Sequence, residues 1–207
     1  MTTSFFALLA GLISVVNPFS AMPVFLALTK EEGKKQRNRI ALKGCLFFAL
    51  ILLVFYFCGI YILDFFHITV DALRIAGGII IFGSGSALLT GRFAKNRSIT
   101  KKVTKEARLK EDISLSPLAM PMLSGPGSIS YLIAIRSENH EWKEYWLMVT
   151  VILVSAVITY LVFRVSTRVT RFLGEAGMNS VSRIIGFIVM SIGVQYIITG
   201  IRAVFSL

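Results

Sequence analysis

The chain has 207 residues, of which 55% are hydrophobic, and a mean hydropathy of +0.74. A water-soluble domain of this size cannot hide so much apolar surface, so a soluble enzyme or binding module is excluded. The formal net charge is +11; in a membrane protein such an excess belongs to loops facing anionic lipid, and nucleic acid is not expected as a partner.

Six apolar segments are long enough to cross roughly 30 Å of hydrocarbon as helices. In chain order they cover residues 4–28, 41–63, 73–90, 115–135, 145–163 and 184–204. The first has no basic residue ahead of it and no clear small-residue cleavage site, so it is expected to be a retained span. The second holds Cys45 and Cys58, whose separation of 13 puts them on different helix faces. A disulfide is not expected, nor is a metal site; both cysteines read as small buried hydrophobes. Residues 92–112, charged and polar, form the only linker-like stretch. Lys and Arg following the first, third and fifth spans number eighteen, against four on the other side. The positive-inside rule then puts the basic loops in the cytoplasm and both termini outside.

The third and sixth spans resemble each other. "RIAGGIIIFGSGSALLTG" from Arg74 and "RIIGFIVMSIGVQYIITG" from Arg183 match at six of eighteen positions when slid by 109 residues. Gly77, Ser84 and Gly91 in one, and Gly186, Gly193 and Gly200 in the other, form matching stripes spaced by seven. Such small-residue stripes let another backbone approach closely, within one protomer or between protomers of a homo-oligomer. An offset of 108 sets Asn17-Pro18 on Gly125-Pro126. The expected architecture is an all-α integral membrane domain of six transmembrane helices. These form two inverted three-helix repeats, about 4–91 and 113–205, with the first and fourth helices broken.

All five prolines fall in those two spans: Pro18 and Pro23 in "VVNPFSAMPVFLALT", and Pro117, Pro121 and Pro126 in "SPLAMPMLSGPGSIS". Proline removes an N–H and obstructs the carbonyl a turn earlier. In hydrocarbon each orphaned backbone group costs several kcal/mol unless protein or water satisfies it. Broken helices are tolerable where they line a cavity, with half-helix N-termini suited to a carboxylate and exposed carbonyls suited to a cation. The candidate substrate-binding residues are therefore Asn17, Pro18, Ser20, Ser124, Gly125, Pro126, Gly127 and Ser128. Ser130 also lies at the second break, and Gln195 in the sixth span faces either the site or a neighbouring helix.

No acidic or basic residue lies securely in the middle of a span, so no proton relay of buried carboxylates is visible. His67 and His140 fall in outward loops, which leaves a buried serine without a base. No nucleotide-binding loop appears. An enzyme is not expected, and neither is a cofactor, although Na+ or H+ could serve as a coupling ion. A small-molecule substrate and the lipid bilayer are the expected partners. An accessory or stress-related membrane protein that moves no solute is the alternative.

"VVNPFSAMPVFLALT" resembles the Asn/Asp-Pro signature in the first span of the MarC family of bacterial inner-membrane proteins. "PLAMPMLSGPGSIS" resembles that family's fourth-span signature, while "LRIAGGIIIF" and "RIIGFIVMSIGVQYIITGI" are similar to its third and sixth spans. The resemblance covers essentially the whole chain. It implies six spans in two repeats, a bacterial plasma-membrane location, and kinship with transporters of small neutral amino acids such as alanine and glycine. By motif it points to Asn17, Pro18, Pro23, Pro117, Pro121, Gly125, Pro126 and Gly127. This chain has Phe19-Ser20 where many members carry a glycine after Asn-Pro.

Overall fold

The computed structural model describes residues 5–29, 32–90, 123–138 and 141–205. Among them every regular element is helical: α1 (Phe5–Val16), α2 (Pro18–Leu28), α3 (Lys34–Phe65), α4 (Val70–Leu89), α5 (Pro126–Glu138), α6 (Trp142–Gly174) and α7 (Ala176–Val204). Four of these, α3, α4, α6 and α7, are long and apolar enough to cross a membrane. At 1.5 Å per residue, α1, α2 and α5 reach only about 16–20 Å, well short of a bilayer's roughly 30 Å apolar thickness.

Two basic stretches expected as loops are helical. Residues 34–40 open α3, and 164–174 continue α6 well past the expected end of the fifth span. Charged residues are good helix formers, and a helix has no reason to stop where the lipid does. Only Gly174, with φ +64° and ψ −177°, separates α6 from α7; that conformation is open to glycine and costly for other residues. At the other turn Thr69 caps α4, accepting the Ala72 N–H at 3.2 Å, and Asp71 pairs with Arg74 at 2.9 Å.

Both faces of α3 are apolar. Leu46, Leu50, Val54, Phe57 and Tyr61 are exposed at three- and four-residue spacing, while Cys45, Phe48, Leu52 and Tyr56 are buried. A polar outer face is what water demands; lipid accepts an apolar one. Cys58 lies on the exposed face, so only Cys45 fits the expectation of two buried cysteines. The core joins α1, α2, α3, α5, α6 and, through Met178, the start of α7, including stacked Phe25 and Phe163 rings 4.6 Å apart.

The tightest contact is between α4 and α7, which run antiparallel. A Cβ on Gly193 would lie 2.5 Å from the Phe82 nitrogen and 2.7 Å from the Gly78 oxygen. One on Gly186 would lie 2.9 Å from the Gly85 oxygen, and one on Gly200 2.9 Å from the Asp71 oxygen. The stripe on α7 is the one expected. On α4 it is Gly78 and Gly85, not Gly77, Ser84 and Gly91. Gly77 instead abuts Ser130 of α5, Ser84 is exposed and donates to the Ile80 carbonyl, and Gly91 lies outside the described residues. Adjacent glycines at 77 and 78 define two stripes about 100° apart, and only the position of the neighbouring helices selects between them.

With this register, Gly78 and Gly85 stand 108 residues before Gly186 and Gly193. The starts of α2 and α5, and of α3 and α6, are separated by the same interval. Gly193→Val is expected to lower the melting temperature of the detergent-solubilised protein, with a cost of about 1–3 kcal/mol from overpacking against backbone. Gly83→Ala, where a Cβ meets nothing within 4 Å, should leave it unchanged or slightly raised.

Candidate functional site

Asn17 separates α1 from α2. Its N–H still donates to the Ile13 carbonyl at 2.8 Å, closing α1, but its φ of +47° turns the chain out of the helix. Pro18 then starts α2, and a proline is suited to the first helical position because no bond is asked of its missing N–H. Asparagine tolerates the left-handed conformation better than other side-chain-bearing residues and favours the position before a helix. One residue thus ends one half-helix and begins the next. Both Asn17 and Pro18 are buried.

The second break is built differently. Leu123 and Ser124 are buried, Gly125 is half-buried, and Pro126 starts α5. The Ile129 N–H donates to the Gly125 carbonyl at 3.2 Å. The N–H groups of Gly127 and Ser128 precede that bond and so project from the helix end. The Ser128 hydroxyl donates back to the Gly125 carbonyl at 2.9 Å and the Leu123 carbonyl at 3.3 Å, repairing the break from within. Ser124 Oγ is buried and has no hydrogen-bond partner among the described residues.

The two breaks lie close together. α1 and α5 pack antiparallel: a Cβ on Gly11 would meet Tyr131, and one on Gly127 would lie 3.5 Å from Val15 Cγ1 and 2.9 Å from Ile81 Cγ1 of α4. The same register, carried two residues further, sets Asn17 level with Gly125. The carboxyl end of α1 and the amino ends of α2 and α5 therefore converge. By the helix dipole, that places one negative and two positive ends around one buried locus.

Of the expected site residues, Asn17, Pro18, Ser124, Gly127 and Ser128 are buried around these breaks. Pro126 is exposed. Ser20 and Pro23 lie in α2, with side chains outside the described set, and Pro117 and Pro121 lie outside it altogether. Gln195 is exposed, and among the described residues its side chain hydrogen-bonds Thr199 of its own helix, at 3.4 Å. His67 is exposed in the α3–α4 turn, and His140 is outside the described residues. Among the described residues no cluster of His, Cys, Asp or Glu could hold a metal ion.

Sequence reasoning missed Tyr131. Its hydroxyl donates to the Leu8 carbonyl at 3.3 Å, fastening α5 to α1, and its ring stacks on Tyr196 of α7 at 5.8 Å. A tyrosine five residues past Pro126, inside an apolar run, was the available signal. A buried phenol needs a partner in hydrocarbon. Ser130 is also buried, against Gly77.

The chain matches the model of the MarC family of integral membrane proteins over residues 2–205. The chain belongs to the MarC family. Among its MarC relatives, a UPF0056 membrane protein of Buchnera aphidicola subsp. Acyrthosiphon pisum is 36% identical over 195 residues, covering 94% of this chain and 90% of that one. YhcE, a UPF0056 membrane protein of Escherichia coli K12, is 32% identical over 201 residues, covering 97% and 93%. A UPF0056 membrane protein of the archaeon Methanocaldococcus jannaschii is 36% identical over 193 residues, covering 93% of each chain. The expectation of a bacterial family is thus too narrow. These names carry membrane residence and no substrate or activity. No solved structure matches the chain. The protein is a multi-pass integral membrane protein of the MarC family.

Asn17→Gly is expected to keep the backbone of the first break and leave stability nearly unchanged. Asn17→Ala should lower it by about 1–2 kcal/mol, the cost of a left-handed alanine. Tyr131→Phe should lower it by about 1 kcal/mol through the lost hydrogen bond. Thermal unfolding of the solubilised variants reads all three.

Proposed function

We propose that this MarC protein is a secondary transporter of a small polar metabolite, with a neutral amino acid as the foremost candidate. The observation that carries this reading is the convergence of half-helix ends at a buried locus containing a serine hydroxyl with no partner among the described residues. A zwitterion fits that arrangement. Its carboxylate would take the Gly127 and Ser128 N–H groups and the Ser124 hydroxyl, and its ammonium the last carbonyls of α1. Asn17, Pro18, Ser20, Gly125 and Pro126 would shape the two breaks. A coupling Na+ or H+ would use the same carbonyl set.

The proposal includes six spans in two inverted repeats. α1 and α2 in tandem make one span, and α5 supplies half of another. The constant interval of 108 between matching helix starts supports this reading, as does the α4–α7 contact. Moving Gly78 and Gly85 forward by 108 and Gly193 and Gly186 back by 108 exchanges the two glycine pairs, as a two-fold axis in the membrane plane requires. Small-residue contacts of this kind allow one repeat to rock against the other. The eighteen-to-four distribution of basic residues supports termini outside and basic segments in the cytoplasm, in the inner membrane of a bacterial host.

The test is uptake of radiolabelled alanine and glycine into proteoliposomes, under sodium and proton gradients imposed separately. Saturable uptake following one gradient is expected. Gly127→Leu, which must displace Ile81 and Val15, should reduce it at least tenfold, and Ser124→Ala severalfold, with insertion unchanged. Wild-type rates in both variants would overturn the site. Absence of uptake by folded, inserted protein would favour a non-transporting accessory role.

A further inference from the structure

A groove between α3 and α6 has no role in the reading above. It is lined by Lys35, Gln36, Asn38, Arg39, Leu42 and Tyr160 and has a volume of about 480 Å³. We propose that it is a binding site for the headgroup of an anionic phospholipid.

Its position along the membrane follows from the sequence of α3. After Lys43 the next charged residue is Asp64, so the hydrocarbon starts near Gly44. Arg39 lies five residues before that edge, about 7 Å at the helical rise. That depth matches the headgroup layer, which is roughly 5–8 Å thick on each side; Lys35, one turn further out at about 13 Å, adds its charge from the water side. Lys35, Arg39 and Leu42 recur at four and three residues and so share one face of α3. Arg37 donates to Thr167 Oγ1 at 3.0 Å, and Leu42 and Tyr160 line the same groove, so α6 runs antiparallel to α3 here. Tyr160 therefore sits toward the hydrocarbon edge, where an amphipathic ring is favoured. Arg37 also donates to the Thr29 carbonyl at 3.0 Å, which holds α2 to this corner.

The lining chemistry selects the ligand. It contains two cations and no acid. A guanidinium can grip a phosphate through two parallel hydrogen bonds, and a lysine adds a point charge. The Gln36 and Asn38 amides can reach headgroup hydroxyls or ester oxygens. Arg164 and Arg168, both exposed, follow Tyr160 at four-residue spacing and reinforce the positive potential. A zwitterionic headgroup would bring its own cation against these charges. Free phosphate would fill only the polar end, because Leu42, 47% exposed, and Tyr160 continue the groove into the apolar surface.

The experiment uses the full chain in mild detergent, read by native mass spectrometry with added phosphatidylglycerol, phosphatidylcholine or inorganic phosphate. The wild type is expected to retain phosphatidylglycerol at least tenfold better than phosphatidylcholine, undisturbed by millimolar phosphate. Lys35→Gln with Arg39→Gln should lose that preference, while Lys35→Arg with Arg39→Lys should keep most of it. Lys143→Gln with Arg202→Gln, which removes equal charge at exposed positions outside the groove, should also keep it. Displacement by inorganic phosphate would overturn the lipid assignment in favour of a free anion. Equal retention by the Gln pair, or equal loss in the control pair, would overturn the site. The melting temperature of each variant without lipid separates lost binding from lost folding.

Discussion

In hydrocarbon a backbone N–H or C=O must find a partner inside the protein or in a wetted cavity, and that constraint governs this molecule. The long helices satisfy it internally. The exceptions sit at Asn17 and at Ser124–Gly125, where two chain segments stop being helical. Their orphaned groups do not face lipid. α1 and α5 pack against each other, Tyr131 reaches the Leu8 carbonyl, and Ser128 turns back on Gly125 and Leu123. A fold that buries both breaks together, and fastens them with side chains, has gathered these backbone groups at one level along α1 and α5.

The remaining helices hold that level in place. α4 approaches α7 at near-backbone distance through glycine on both sides, and its other face touches α5 at Ser130 and Gly127. α3 and α6 present apolar surface both inward and outward, and their polar ends carry the cations. Serines and threonines elsewhere in the spans, such as Ser155, Thr159 and Ser166, donate to carbonyls three or four residues back on their own helices. They are satisfied locally and leave the breaks as the chemically open region. Proline and glycine, costly in an ordinary helix, are here the residues that interrupt the helical backbone at both breaks.

Much of this was legible in the sequence because lipid imposes simple rules. Hydropathy marked the four long apolar helices, and the confinement of prolines to two other apolar segments marked the breaks. Helix ends were misjudged at residues 34–40 and 164–174, since hydropathy reports where lipid ends and not where hydrogen bonding ends. Polarity within a span does not reveal direction either: Gln195 is exposed and bonds to Thr199 one turn away.

By itself, the sequence determined membrane residence, the helical class, the MarC kinship and the positions of the breaks. Each follows from composition or from a local backbone rule that holds whatever the neighbours do. Tertiary structure decided which of the adjacent glycines Gly77 and Gly78 meets α7, that the two breaks lie together, and that Tyr131 ties them. It also decided that Pro126 is exposed and Ser124 buried. These are relations between helices, set by rotation about helix axes. A shift of one residue turns a side chain by about 100°, and nothing local to the chain chooses among those rotations.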